Sequence, residues 1–268
     1  MPTVRDLRQQ AGDEPITMLT AYDATTAELV EKSGVDVILV GDSLGNAVLG
    51  HDSTLPVTMD QMVSHAGAVV RGTETALVVA DLPFLSIGAN RGDSIENAGR
   101  LLKEAGANAV KIESGPHTVE LTEQLVDLGI PVMAHLGLTP QHVNRLGYAR
   151  QGTSDEAAEE IRDLARAHED AGAFSLVLEH VPANLAATVT EDLSIPTIGI
   201  GAGPDCDGQV LVVDDAVGLT ESAPPFAEAF GDVREAYADA LEDYVEAVEG
   251  ESFPADDHSH VADDLDLE

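Results

Sequence analysis

Apolar residues in this chain gather in short blocks, and each block is entered and left in the same way. A helical stretch ends in glycine, a β-branched apolar run follows, and the run stops at an acid. The pattern recurs in "EKSGVDVILVGD" (31–42), "EAGANAVKIE" (104–113) and "EDAGAFSLVLE" (169–179). The glycine stands where a helix C-terminus needs a left-handed residue. The run after it is apolar on both faces, as in a parallel strand covered by helices. Eight strands are predicted on this basis, at Thr17–Ala21, Val35–Val40, Ala76–Ala80, Ala109–Ile112, Pro131–Ala134, Phe174–Leu178, Thr197–Ile200 and Val210–Val213. Amphipathic stretches lie between several of them. Thr58-x-x-Gln61 and Thr153-x-x-Glu156 read as capping-box helix starts.

Eight strand–helix units in about 250 residues make a (β/α)8 barrel of the α/β class. Closure of eight alternating parallel strands is favoured over the rival, a doubly wound open sheet. Residues 1–254 are expected to form this barrel with a C-terminal helical extension in Ala227–Gly250. Residues 255–268 carry six acids and no Lys or Arg, the composition expected of a mobile acidic tail.

Composition narrows the picture. Hydrophobic residues are 44% of the chain and aromatics only 3%, with no Trp, so the core must be aliphatic. No apolar run approaches the roughly 18 residues of a membrane span, and the N-terminus lacks the apolar centre of a signal peptide. A cytoplasmic location is expected. Cys206 is the sole cysteine, which excludes an internal disulfide and a multi-cysteine metal site. The net charge of −36 opposes nucleic acid and acidic membranes as partners.

In a barrel of this kind the active site lies at the C-terminal ends of the strands. Those ends read Asp23, Asp42-Ser43, Asp81, Lys111 with Glu113, His135, Glu179 and Gly201-Ala202-Gly203. A single tip carboxylate is explained equally well as a helix N-cap. Five acids delivered to one rim by five strands are not.

Asp42, Asp81 and Glu113 end neighbouring strands and would repel one another without a cation among them. Oxygen ligands suit Mg²⁺. His51 and His135 are possible additional site residues that would shift the preference towards Zn²⁺ or Co²⁺. His135 reads equally as a hydrogen-bonded histidine in a polar barrel mouth. Lys111 has three readings: it holds a substrate carboxylate, forms a Schiff base, or simply pairs with Glu113. Glu179, further round the rim, is placed as a general base. "GIGAG" (199–203) lets backbone approach a ligand but lacks a nucleotide fingerprint.

The segments "TAYDATTAELVEKSGVDVILVGDSLGNAVLGHDSTLPVT", "VVADLPF", "AGANAVKIE", "HLGLTPQ", "LVLEHVP" and "IPTIGIGAGPDCDGQVLVVDDAVGL" resemble the ketopantoate hydroxymethyltransferase family over nearly the whole chain. The resemblance implies hydroxymethyl transfer from 5,10-methylenetetrahydrofolate, or a related pterin, to the 2-oxo acid 3-methyl-2-oxobutanoate. The product is 2-dehydropantoate, on the way to pantothenate and coenzyme A, and the reaction passes through a metal-stabilised enolate. It places the metal carboxylates on Asp42, Asp81 and Glu113, the substrate contacts on Asp42, Ser43, Asp81 and Lys111, and the base on Glu179. It also implies a homo-oligomer, often a decamer. The segment "TESAPPFAEAF" departs from the family, which usually has a basic residue before the Phe. Two rivals stand beside this reading. One is a Mg²⁺-dependent carbon–carbon lyase of the phosphoenolpyruvate mutase and isocitrate lyase group, disfavoured because Cys206 lies in "GPDCDG" without lysines. The other is a non-catalytic metabolite-binding barrel.

The anionic surface predicts adaptation to a salt-rich, halophilic cytoplasm, because self-repulsion is screened when the Debye length falls to about 3 Å at 1 M salt. The thermal midpoint should be higher in molar KCl than in dilute buffer. An equal or lower midpoint in KCl would refute it.

Overall fold

The computed structural model describes residues 3–12, 14–88 and 90–262. Eight strands alternate with helices: β1 Ile16–Thr20, β2 Val37–Val40, β3 Leu77–Asp81, β4 Ala109–Glu113, β5 Val132–Gly137, β6 Ser175–Glu179, β7 Thr197–Ile200 and β8 Gly208–Leu211. Every pairing is parallel, and β8 pairs back to β1, so the sheet closes into a barrel. The expected (β/α)8 architecture is what the chain adopts. The helices are α1 Val4–Gln10, α2 Ala24–Lys32, α3 Leu44–Ala47, α4 Met59–Arg71, α5 Arg91–Arg100, α6 Val119–Asp127, α7 Val143–Leu146, α8 Asp155–Asp170, α9 Ala183–Asp192, α10 Val213–Ala216 and α11 Val233–Glu249.

Helix starts follow local chemistry. Thr58 and Gln61 form the expected capping box on α4. The cap of α8 is Ser154, which accepts from the Ala157 N–H, one residue beyond the predicted Thr153. Asp23 accepts from the Thr26 N–H at 2.8 Å as the cap of α2, so this rim acid is spent on the helix. The last strand runs two residues earlier than predicted, because the Val213 N–H turns to the Thr20 hydroxyl (2.9 Å) and α10 begins there.

Two aliphatic layers hold the barrel. The inner one joins Ile16, Met18, Val37, Leu39, Leu77, Val79, Met133, Val177 and Ile198, with Leu7 of α1 packed against it. The outer one packs Leu136, Leu176 and Leu178 against Ile161 and Ala165 of α8 and Leu185 and Val189 of α9. Burying each such side chain contributes on the order of 1.5–3 kcal/mol, which explains why a core so poor in aromatics suffices.

Contacts divide the chain into two compact units. One comprises residues 1–213 and 224–227, the other 214–223 and 228–268. In the second, Arg234 on α11 donates to the Leu219 carbonyl (3.1 Å), and Tyr244 and Phe253 meet edge to face. None of the seventeen residues of α11 is buried. Of the expected acidic tail, 263–268 lie outside the described residues; Asp256–His258 forms a short 3-10 turn. No helix among the described residues is long and apolar enough to cross a membrane.

Candidate active site

The site is built from the ends of neighbouring strands. Gly41 follows β2, and a Cβ there would lie 2.6 Å from Ser43 Oγ and 3.6 Å from Asp81 Oδ2. Glycine therefore lets the chain turn tightly enough to bring Asp42 and Ser43 against Asp81. The Asp42 N–H donates to Asp81 Oδ2 (3.1 Å), and the Ser43 and Tyr22 hydroxyls lie 2.8 Å apart.

Asp81 is the last residue of β3, and strand register sets it beside Lys111 of β4. Lys111 Nζ donates to Asp81 Oδ1 at 2.6 Å in a buried ion pair. Its partner is thus the neighbouring strand's acid rather than Glu113 on its own strand. Glu113 ends β4, and both its oxygens accept from the Gln141 N–H (3.1 and 3.0 Å). The Gln141 side-chain amide donates to Asp42 Oδ2 (2.8 Å) and to the Leu82 carbonyl (3.0 Å).

Across the mouth, His135 of β5 puts Nε2 3.2 Å from Glu179 Oε2 at the end of β6. The pair is close but out of line, so both buried ring nitrogens of His135 lack a hydrogen-bond partner. Gly137 at φ +98° makes this edge possible: a Cβ there would sit 2.2 Å from the Glu179 carbonyl, which accepts from the Leu138 N–H. Glu179 is partly open to solvent, whereas Asp42, Asp81 and Glu113 are buried.

Electrostatics separate these groups. Burial pushes the Asp42 carboxyl up to about 7, and the charge of Asp81 adds to the shift. Burial, then the charge of Asp42, raises Glu113 well above the usual carboxylate range. Burial alone would push Lys111 down, but Asp81 and Asp42 outweigh it and hold the ammonium above its ordinary value. Three buried carboxylates share one ammonium, so the cluster is short of positive charge.

That deficit and the all-oxygen donor set fit a hard divalent cation. No three His, Cys, Asp or Glu side chains among the described residues converge to hold an ion unaided. Mg²⁺ is ordinarily bound through one or two carboxylates plus substrate oxygens and water, so an all-protein cage is not required. The main chain of His51 is tied to the loop after α3, its N–H donating to the Gly45 carbonyl and its carbonyl accepting from the Asn46 side-chain amide. Sequence reasoning missed Tyr22 and Gln141. Tyr22 signalled itself as an aromatic at a strand tip; Gln141 had only the turn-forming Pro140 before it.

The profile of ketopantoate hydroxymethyltransferase matches residues 2–256. The chain belongs to this family. A 3-methyl-2-oxobutanoate hydroxymethyltransferase from Haloarcula marismortui is 71% identical over 266 residues, covering 99% of both chains. Its counterpart from Geobacter metallireducens is 49% identical over 260 residues, 96% of this chain and 97% of the other. The halophilic character read from the charge fits the former. Among solved structures, phosphonopyruvate hydrolase in complex with oxalate and Mg²⁺ has a TM-score of 0.64 at 15% identity, over 96% of this chain and 93% of that one. A 2,3-dimethylmalate lyase gives 0.60 at 20%, over 97% and 93%. At these identities the likeness concerns the fold alone, and the family match sets the lyase reading aside.

Removing one partner of a buried ion pair leaves the other uncompensated, at a cost of about 3–5 kcal/mol. Lys111→Met should therefore lower stability by that order in denaturant titrations. Adding Asp81→Asn should recover part of the loss; a double variant no more stable than Lys111→Met would contradict the pairing.

Proposed function

We propose that this chain, an enzyme of the ketopantoate hydroxymethyltransferase family, makes 2-dehydropantoate from 3-methyl-2-oxobutanoate and 5,10-methylenetetrahydrofolate with opposite sides of one barrel mouth. The observation that carries the reading is the division of that mouth. A buried acid cluster with one lysine lies on β2–β4, and a single partly exposed carboxylate stands across from it on β6.

Asp42 and Asp81 would hold a divalent cation, with Glu113 beside them completing the negative shell. When bound, the cation supplies Lewis-acid polarisation of the substrate ketone. Lys111 and the Ser43 hydroxyl orient the substrate carboxylate, and Tyr22 fixes that hydroxyl. Glu179 takes the C3 proton, and the electrons of the C–H bond delocalise onto the ketone. C3 then bonds to the methylene carbon of the folate as one of that carbon's two C–N bonds breaks and the freed nitrogen takes up a proton; water then displaces the second nitrogen, leaving the hydroxymethyl group and tetrahydrofolate. His135, 3.2 Å from Glu179, stands next to the base, and a rotation of either side chain would let its Nε2 accept a hydrogen bond from the protonated carboxyl.

An assembly of several copies is the second part of the reading. Tyr237, Leu241, Tyr244, Val245 and Val248 recur on α11 at three- and four-residue spacing and are all exposed. Such a stripe calls for an apolar partner. Sedimentation in molar KCl should show an oligomer that Leu241→Glu weakens. A monomeric wild-type chain would refute the assembly.

A positioned general base typically contributes about 10²–10⁴-fold. Glu179→Gln should slow exchange of the substrate C3 proton with D₂O, followed by NMR in the presence of Mg²⁺, by at least about 100-fold. Cation binding should be retained. Exchange at the wild-type rate would remove Glu179 from this role.

A further inference from the structure

Between Asp127 and Asp155 the chain carries no acid, although 49 of its 268 residues are Asp or Glu. This stretch holds β5, the turn with Gln141, α7 and the loop that returns to α8. Both ends of the returning segment are tied to the barrel rim. At its start Gln141 donates to Glu113 and to Asp42. At its end the Gln151 N–H donates to the carbonyl of His180 (3.1 Å), the residue after Glu179. Gly152, at φ +69°, permits that return, since a Cβ there would lie 2.5 Å from Leu185 and 2.9 Å from Ile161. The segment therefore connects the acid cluster to the edge that bears the base.

Between these ties it carries Arg145, Tyr148 and Arg150, all exposed, Tyr148 to 56%. Among the described residues neither arginine has an ion-pair partner. On a chain of net charge −36, an acid-free rim segment with two unpaired guanidiniums is an opening for an anion. In strong salt the Debye length falls to about 3 Å at 1 M, so groups that touch the anion matter and distant ones do not. A guanidinium fork suits a carboxylate because it offers two parallel N–H donors.

The proposed reaction brings such an anion to this edge. When the methylene carbon of the folate meets C3 beside Glu179, an aminobenzoyl ring and then a glutamyl group extend outward from one of its two nitrogens. The glutamyl group ends in two carboxylates. We propose that residues 145–150 form a subsite for this end of the one-carbon donor, with Arg145 and Arg150 on the glutamyl carboxylates and Tyr148 against the aminobenzoyl ring. The inference rests on the proposed function, in which a folate is the one-carbon donor.

The test compares 5,10-methylenetetrahydrofolate with 5,10-methylenetetrahydropteroate, which lacks the glutamyl group, in initial-rate assays in molar KCl with Mg²⁺ and saturating 3-methyl-2-oxobutanoate. In the wild type KM should be about tenfold or more lower for the folate, the order expected of hydrogen bonds between charged groups. In Arg145→Gln/Arg150→Gln the two KM values should become nearly equal, because the contact that distinguishes the compounds is gone. Both side chains are exposed and unpaired, so these substitutions should cost little stability. A structural role for the loop would raise both KM values and leave their ratio unmoved. A contact between copies of the chain would change sedimentation and also leave the ratio unmoved. A ratio equal to wild type in the double variant therefore overturns the proposal. Tyr148→Ala should raise KM for both compounds, which share the ring, and unchanged values remove Tyr148 from the subsite. Wild-type protein that turns over both compounds at equal KM overturns the subsite alone, whereas turnover of neither overturns the proposed function beneath it.

Discussion

Carboxylates cannot be crowded inside a protein without a counter-charge, and the rim of this barrel depends on how that constraint is met. Asp42, Asp81 and Glu113 are all buried, and Lys111 is the ammonium among them. Its ion pair with Asp81 settles one charge. The Asp42 N–H, the Gln141 N–H and the Gln141 amide spread partial positive charge over the rest. These donors do not close the balance, as the carboxyl of Asp42, held up near 7, makes plain. An anionic 2-oxo acid entering such a cluster adds negative charge where it is already in excess. Its binding must be coupled to the uptake of positive charge, as protons on the raised carboxyls or as the cation of the proposed function.

The closed sheet supplies what this balance needs, namely fixed distances. Parallel register sets Asp81 beside Lys111, Glu113 beside His135, and Gly137 beside Glu179. Consecutive pairs along the rim therefore alternate in chemistry: ion pair, acid and imidazole, then backbone next to base. Every strand beneath feeds the inner aliphatic layer, and β5 and β6 are packed by the outer one as well. Pre-set geometry of this kind holds one partly exposed carboxylate apart from a buried acid cluster at the same barrel mouth.

Much of this could be read in the sequence, and what could not has a physical reason. The strands were legible because a β-branched run buried on both faces has few alternatives. The tip acids were legible because a charge ending such a run has no packing role. Asp23 met the same criterion and is a helix cap, since a carboxylate before a helix looks identical in sequence whichever N–H it serves. The partner of Lys111 was not legible: spacing suggested Glu113, two residues along, while register across strands chose Asp81. Gln141 was hidden for a similar reason. It reaches Asp42 across 99 positions of chain, and no local pattern encodes a contact made by a turn folding over two other strands. His51 shows the converse, a residue inside a highly specific motif whose recorded bonds serve the α3 loop.

The same barrel carries lyase and hydrolase chemistry at 15–20% identity, so the fold does not choose the reaction. In the proposed function the choice rests on the far side of the mouth. In the proposed reaction a cation held by the buried acid cluster would stabilise an enolate, and carbon–carbon lysis through an enolate would need the same help. What differs is how the enolate arises and what it meets. A lyase forms it by breaking a carbon–carbon bond, and the group that matters then protonates a carbon or captures an aldehyde. Glu179 is a carboxylate left partly open to solvent, next to a buried imidazole with both nitrogens unpartnered. That arrangement supports the proposed role of Glu179 as the base that accepts a proton from carbon. In the proposed function the cluster on β2–β4 would set what the site can stabilise, and the pair on β5 and β6 which bond is broken to reach it.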